Sequence, residues 1–322
     1  MQETYFVLIL VNELKMNKKV VTILSVTIIL IFIGYIIFDS MKSGSSGQNE
    51  TKNAEVKETS DAWKISNEFK VNEGTLKAVT ISPAGKIYLG GDSFVSCYDK
   101  ELKLMWNLKT PSPVTSLSIF GDTVFAATME QILIMSPEGR IKSEWGPFED
   151  SSIITSVSSN RKYVAFADAG NKTVFILDKG GEVKSMIGQN DGQFVIPSPY
   201  FDVALDYDNN LFIANTGHHR IETRTIAGVI KSYFGEAGTA PEFFCGCCAP
   251  AHFIVVPEGF ITAEKGINRI KILNKKGEFV EFVNSKNNFV KSIPLDLASA
   301  DGNTIYAANP ADSKLYVFTR KN

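Results

Sequence analysis

The chain is a succession of short apolar runs, each stopped by Gly, Asn or Asp. The clearest stretch is Tyr200–Gly235. There Asp202–Leu205 breaks at the turn-forming run Asp206-Tyr207-Asp208-Asn209-Asn210, and Leu211–Ala214 stops at Asn215-Thr216-Gly217. Ile221–Thr225 alternates apolar and polar residues, and Gly228 turns the chain into Val229–Phe234. Alternating runs of this length, bounded by these residues, predict four hairpin-connected antiparallel strands. A single sheet of that kind cannot bury both its faces, so copies are expected.

The frame recurs. The centre of its second strand falls at Ile87, Val124, Val164, Leu211, Phe260 and Ile305, roughly 40 to 50 residues apart, the period of one four-stranded blade. The pattern therefore predicts an all-β, six-bladed β-propeller over 62–322. The last copy ends at Arg320-Lys321-Asn322, after its third strand, while Ala62–Val71 precedes the first copy and belongs to none. The leader resembles fourth strands elsewhere, so it is expected to pair with the last copy and close the ring, removing two sheet edges.

Upstream the pattern changes. Val20–Phe38 carries no charge and approaches the ~20 residues that cross a bilayer. Lys15, Lys18 and Lys19 precede it, and Asp39 follows. The lysine bias predicts a cytoplasmic 1–19, a transmembrane signal-anchor helix over 20–38 and an extracytoplasmic remainder. No small-residue cleavage pattern follows the run, which favours an uncleaved anchor. Residues 39–61 are Ser-, Gly-, Lys- and Glu-rich, with too little apolar content for a core, and are expected to form a disordered linker.

A family resemblance rests on particular residues. The 188–235 copy, with Gly217-His218-His219-Arg220-Ile221 after its second strand, resembles an NHL repeat, and Gly266-Ile267-Asn268-Arg269-Ile270 echoes it. The other copies lack the Arg-Ile pair. The resemblance implies a six-bladed propeller of the NHL/TolB-like kind but no reaction, since such folds host binders and enzymes alike. Phe243-Phe244-Cys245-Gly246-Cys247-Cys248, followed by Thr262-Ala263-Glu264-Lys265-Gly266, is similar to loops in bacterial extracytoplasmic NHL-type proteins.

In a propeller, the starts of first strands and the ends of second strands should converge at one mouth of the channel. Those positions are Ala78 and Gly91, Ser116 and Thr128, Ser156 and Asp168, Asp202 and Asn215, His252 and Glu264, Asp296 and Asn309. Carboxylates, amides and a histidine thus crowd the last four blades. One reading is a divalent metal ion, since oxygen donors suit Ca²⁺ and a His with carboxylates suits Zn²⁺. The other is that the polar groups after the second strands bond the following turns. Six-bladed relatives of the gluconolactonase and regucalcin group use acidic and amide residues around the channel. The peptidyl-amidating lyase group places histidines at inner-strand starts, a pattern that His252 resembles, though three blades contribute there and one does here. Lys265 and Arg269 add positive charge suited to an anionic ligand. His218 and His219 are expected as exposed turn residues.

Three of the four cysteines cluster at 245–248. Cys245, Cys247 and Cys248 offer a local disulfide outside the cytoplasm, a soft-metal site with His252, or a redox pair at the Cys245/Cys248 spacing. Composition narrows the classes. A net charge of −2 and the lack of a basic stripe argue against nucleic acid. No nucleophile elbow, phosphate loop, His-Glu-x-x-His or dinucleotide fingerprint occurs. The expected activity is binding of a ligand or partner protein at the cup by Asp202, Asn215, His252, Glu264, Lys265, Arg269, Asp296 and Asn309. The alternatives are a metal-dependent lactonase-like or lyase-like enzyme, or a metal-binding or redox module built on the Cys loop.

Overall fold

The computed structural model describes residues 62–188, 192–246, 248–285, 288–290 and 292–321, with positions 23, 26–31 and 33. The chain divides into two compact units, Met1–Val56 and Lys57–Asn322. In the first unit the described positions are helical with exposed side chains, and Thr27 Oγ1 donates to the Ile23 carbonyl at 2.8 Å. Among the described residues no helix is long and apolar enough to cross a membrane. The expected span over 20–38 lies largely outside the described residues, and the segments 1–19 and 39–61 lie wholly outside them.

The second unit contains six antiparallel sheets of four strands each. The leader supplies β1 (Trp63–Lys70). Blade one is β2 (Leu76–Ile81), β3 (Ile87–Gly91), β4 (Phe94–Tyr98) and β5 (Leu104–Lys109); blade two is β6 (Ser116–Phe120), β7 (Thr123–Ala127), β8 (Ile132–Met135) and β9 (Ile141–Trp145). Blade three is β10 (Ile154–Ser159), β11 (Tyr163–Asp168), β12 (Thr173–Asp178) and β13 (Val183–Ile187); blade four is β14 (Asp202–Leu205), β15 (Leu211–Asn215), β16 (Arg220–Arg224) and β17 (Ile230–Phe234). Blade five is β18 (His252–Val256), β19 (Gly259–Ala263), β20 (Ile270–Asn274) and β21 (Phe279–Asn284). Blade six joins β22 (Asp296–Ala298), β23 (Thr304–Asn309) and β24 (Lys314–Arg320) to β1.

Closure follows the expected route. β1 runs antiparallel to β24, from Trp63 opposite Arg320 to Lys70 opposite Lys314, with one bulge after Ile65. The inner strands touch in a cycle, β2 to β6, β10, β14, β18, β22 and back to β2. Each blade interface holds its own apolar cluster, because strand residues alternate between the two neighbours. In blade three, Ala165, Ala167, Val174 and Ile176 pack toward blade four, while Val164, Phe166, Phe175 and Leu177 pack toward blade two. The core therefore lies between blades, and the middle strands of the ring are buried on both faces.

Turn chemistry repeats with the blades. Asp99 Oδ1 accepts the amides of Glu101 and Lys103, and Asp178 Oδ1 accepts those of Gly180 and Glu182. Such Asx turns reverse the chain without tertiary help. Gly139 follows in the equivalent turn opened by Ser136, and Gly181 in the Asp178 turn, with φ of +83° and +89°. A Cβ on either would meet Trp106 or Trp145, on the outer strand of the preceding blade, at 2.7 Å. Glycine is needed there both for the dihedral and for the approach of the indole.

Candidate functional site

The site is built from the first residues of the inner strands, which face the axis at one mouth of the channel. Four of them reach across to the next blade. Ser116 Oγ accepts the Val157 amide at 3.1 Å, and Ser156 Oγ accepts that of Val203 at 3.2 Å. Asp202 Oδ2 accepts the Phe253 amide at 2.8 Å, and Asp296 Oδ2 accepts that of Val79 at 2.8 Å. These bonds satisfy amides whose strands have no partner on the axial side. They also tie the blades into a ring.

His252, at the start of β18, stands between the two carboxylates. Its Nδ1 lies 3.6 Å from Asp296 Oδ1 and 3.8 Å from Asp202 Oδ2. Ser156 Oγ donates to Asp202 Oδ1, as does the Val203 amide at 2.9 Å. Asp202 is nearly enclosed, whereas His252 and Asp296 keep about a fifth of their side-chain surface. Below them the channel holds a cavity of about 180 Å³ lined by all six inner strands, with Asp202 and Asp296 in its wall.

Burial sets the protonation of this trio. It lifts Asp296 to about 8, with the Asp202 charge adding to it, and lifts Asp202 to about 6 against its hydrogen bonds. It pushes His252 down to about 4. At neutral pH the imidazole is uncharged, Asp296 keeps its proton, and Asp202 carries one negative charge. This predicts a pH signature of stability. Asp296 has a higher value folded than unfolded, so its contribution falls as pH rises from about 4 to about 8. Asp202 acts in the same sense up to about 6. His252 acts in the opposite sense between about 4 and 6.5. Above that, Asp296 dominates. Asp296→Asn, which keeps the acceptor for Val79, should flatten a decline on the order of 2 kcal/mol between pH 6.5 and 8. Urea titrations at the two pH values measure it; an undiminished decline in the variant would assign the effect elsewhere.

The expected second-strand residues do not face the channel. They turn sideways, Asn215 and Glu264 into the connections that enter their blades and Asn309 into the hairpin that follows its own strand. Asn215 accepts the Val195 amide at 3.1 Å and donates to the Gln193 carbonyl and Glu222 at 3.0 Å. Asn309 accepts the Ala311 amide at 3.1 Å. Glu264, fully buried, accepts the Cys245 amide at 2.8 Å, Arg269 Nε at 2.6 Å and Lys271 Nζ at 3.1 Å. Arg269 also donates to the carbonyls of Thr239, Ala240 and Phe243, and Lys271 to those of Pro241 and Phe243. Asn215, Glu264, Arg269 and Asn309 are thus engaged away from the axial set, because the loops and turns beside them carry amides and carbonyls that need partners. Asp168 behaves alike, binding Ser152 and the Ile153 amide.

Lys265 differs. Its Nζ lies 3.3 Å from Ser198 Oγ and 4.7 Å from the centre of the Tyr200 ring, and that ring meets His252 edge-on at 6.1 Å. Ser198 Oγ also donates to Cys248 Sγ at 2.8 Å. Ser198 and Tyr200 escape the sequence reading as site residues. Their signal is the run Pro197-Ser198-Pro199-Tyr200, which enters the inner strand at Asp202.

The cysteine loop is anchored by several groups. His218 is exposed as expected, but His219 is partly covered and donates from Nε2 to the Gly246 carbonyl at 2.6 Å. Cys97 lies buried, and Cys245 is a free thiol, so Cys245 forms no disulfide here; Cys247 lies outside the described residues. Burial, with Glu264 nearby, raises the Cys245 thiol above its ordinary value, opposite to what a reactive dithiol requires. Cys245 and Cys248 engage different partners, Glu264's cluster and Ser198 respectively. Among the described residues no group of three His, Cys, Asp or Glu side chains is arranged to hold a metal ion. In the axial trio one oxygen of each carboxylate already accepts a backbone amide. This donor set does not fit the divalent ion the sequence suggested.

No family model matches the chain, and no curated protein matches it. Solved structures do. A streptogramin B lyase is 13% identical with a TM-score of 0.59, over 81% of this chain and 98% of that one. A protein of unknown function from Bacteroides thetaiotaomicron is 12% identical with a TM-score of 0.63, over 81% and 76%. The WD40 β-propeller domain of Doa1 is 9% identical with a TM-score of 0.57, over 81% and 98%. At such identities the likeness shows the propeller fold alone.

Proposed function

We propose that the chain is a membrane-tethered, extracytoplasmic propeller of the NHL type that binds a small ligand through a positively charged group at its channel mouth. The observation that carries the reading is the position of His252 Nδ1 between Asp296 and Asp202. A neutral imidazole and one uncompensated, nearly enclosed negative charge favour a cation over an anion. The NHL assignment rests on Gly217–Ile221 and its echo at Gly266–Ile270. The tether rests on the uncharged 20–38 run behind three lysines.

Benzylamine serves as the probe. It should bind the full-length chain saturably, with an affinity that rises as pH climbs from 6 to 8, because an arriving ammonium favours the ionised form of Asp296. Asp202 and His252 face the same group and change charge mainly below that window. Asp296→Asn should weaken binding about tenfold or more. Binding that is indifferent to pH and to this variant would reject the site. For the tether, membrane flotation with protease added outside intact cells should degrade the propeller and spare residues 1–19; protection of the propeller would reverse the orientation.

A second reading, a lyase-like enzyme, is favoured by the neutral His252 beside the protonated Asp296, an arrangement suited to a base and an acid. Given the lyase among the structural neighbours, its check is the intact mass of a streptogramin B antibiotic after incubation with the full-length chain. A species formed by wild type and absent with His252→Ala supports it; an unchanged mass removes this substrate class.

A further inference from the structure

The axial trio sits at one pole of a larger arrangement. Lys265 lies at the same mouth, at the end of the second strand of blade five, where the chain leaves β19. Unlike Arg269 and Lys271, whose charges are met by Glu264, Lys265 pairs with no carboxylate among the described residues. Its contacts are the Ser198 hydroxyl and the face of Tyr200. It is only half-buried, as are Tyr200 and His252. The order along the mouth is therefore an ammonium, an aromatic ring at 4.7 Å, an imidazole edge-on to that ring at 6.1 Å, and a carboxyl at 3.6 Å from the imidazole. One pole is positive and carries a hydroxyl; the other is negative. A single aromatic ring and one imidazole separate them.

Building on the cation reading above, we propose that the mouth takes a zwitterion. Its anionic group is held by Lys265, whose ammonium is positioned by Ser198 and the face of Tyr200. Its cationic group is held at Asp296 and Asp202, and an apolar body spans Tyr200. The ammonium of Lys265 has donors left after its bond to Ser198, and a carboxylate beside it gains a charge-assisted hydrogen bond. Like-signed ligands meet one favourable and one unfavourable pole, so the arrangement selects against purely cationic and purely anionic compounds.

Three probes of matched size test this on the full-length chain: 4-(aminomethyl)benzoate, which carries both charges, benzylamine, and benzoate. Titration calorimetry should give about tenfold tighter binding for the zwitterion than for benzylamine, and none for benzoate. Lys265→Met should remove the zwitterion's advantage over benzylamine, weakening the zwitterion while benzylamine, freed of the repelling ammonium, binds at least as tightly as before. Asp296→Asn should weaken both. Equal wild-type affinities for the zwitterion and benzylamine, or a Lys265→Met variant that loses both alike, overturn the two-pole assignment while leaving the cation reading standing. Absence of any benzylamine or zwitterion binding overturns both. The comparison among probes on the wild-type chain needs no variant to fold.

Discussion

Replacing Glu264 by alanine lowers the stability of the propeller by about 3–5 kcal/mol, the usual result of stripping one partner from a buried ion pair. Glu264 is inaccessible to solvent, and so are Lys271 and nearly all of Arg269. The carboxylate meets Arg269 Nε at 2.6 Å and Lys271 Nζ at 3.1 Å. Without it, two cations remain enclosed against carbonyl groups alone. Burial already holds Lys271 down at about 8 with Glu264 present. Losing the counter-charge lets it give up its proton near neutrality, which limits the damage but loosens its bonds to Pro241 and Phe243. The Cys245 amide loses its acceptor as well. Urea denaturation should show the loss, with the exposed Glu258→Ala as control, and limited proteolysis should find new cleavage between 239 and 246. A loss below about 1 kcal/mol would mean that the loop is held by its packing and not by this cluster.

Deleting residues 62–71 abolishes cooperative unfolding and yields soluble aggregates. The deletion removes β1, the outer strand of blade six, and exposes the edge of β24, Lys-Leu-Tyr-Val-Phe-Thr-Arg, whose amides and carbonyls then seek another strand. It also removes Trp63, which is buried in the cluster between blades five and six beside Ile270, Ile305 and Phe318. Loss of an aromatic side chain from such a position alone costs about 3–5 kcal/mol. Arg320 loses the ring it covers at 4.7 Å. Size-exclusion chromatography with light scattering, followed by thermal unfolding, measures the outcome. A monodisperse truncated chain with an unchanged midpoint would show that closure by β1 is dispensable.

Much of this architecture is legible in the order of residues because its causes are local. Alternation of period two puts Ala165 and Val164 toward different neighbours whatever the distant chain does. Asp99 and Asp178 set their turns through amides two and four residues on. The unpaired leader and the missing last strand point to each other by count. The inner-strand starts are legible for the same reason: once six blades are placed radially, Asp202, His252 and Asp296 have to meet at the axis. Asn215, Glu264 and Asn309 were not assignable in that way. At a strand end a side chain can turn toward the axis or toward the loop entering its blade, and the repeat does not say which. Free amides in those loops, at Val195 and Cys245, decided it.

The amino-acid order by itself determined six sheets, their closure and the three polar residues at the axis, because hydrophobic period and turn chemistry act over a few residues. Only the tertiary structure decided that Glu264 and Arg269 hold a loop, that Ser198 and Tyr200 join Lys265 at the mouth, and that His252 is neutral beside a protonated Asp296. Those outcomes depend on desolvation and on partners about 20 to 70 residues away, which no local pattern encodes.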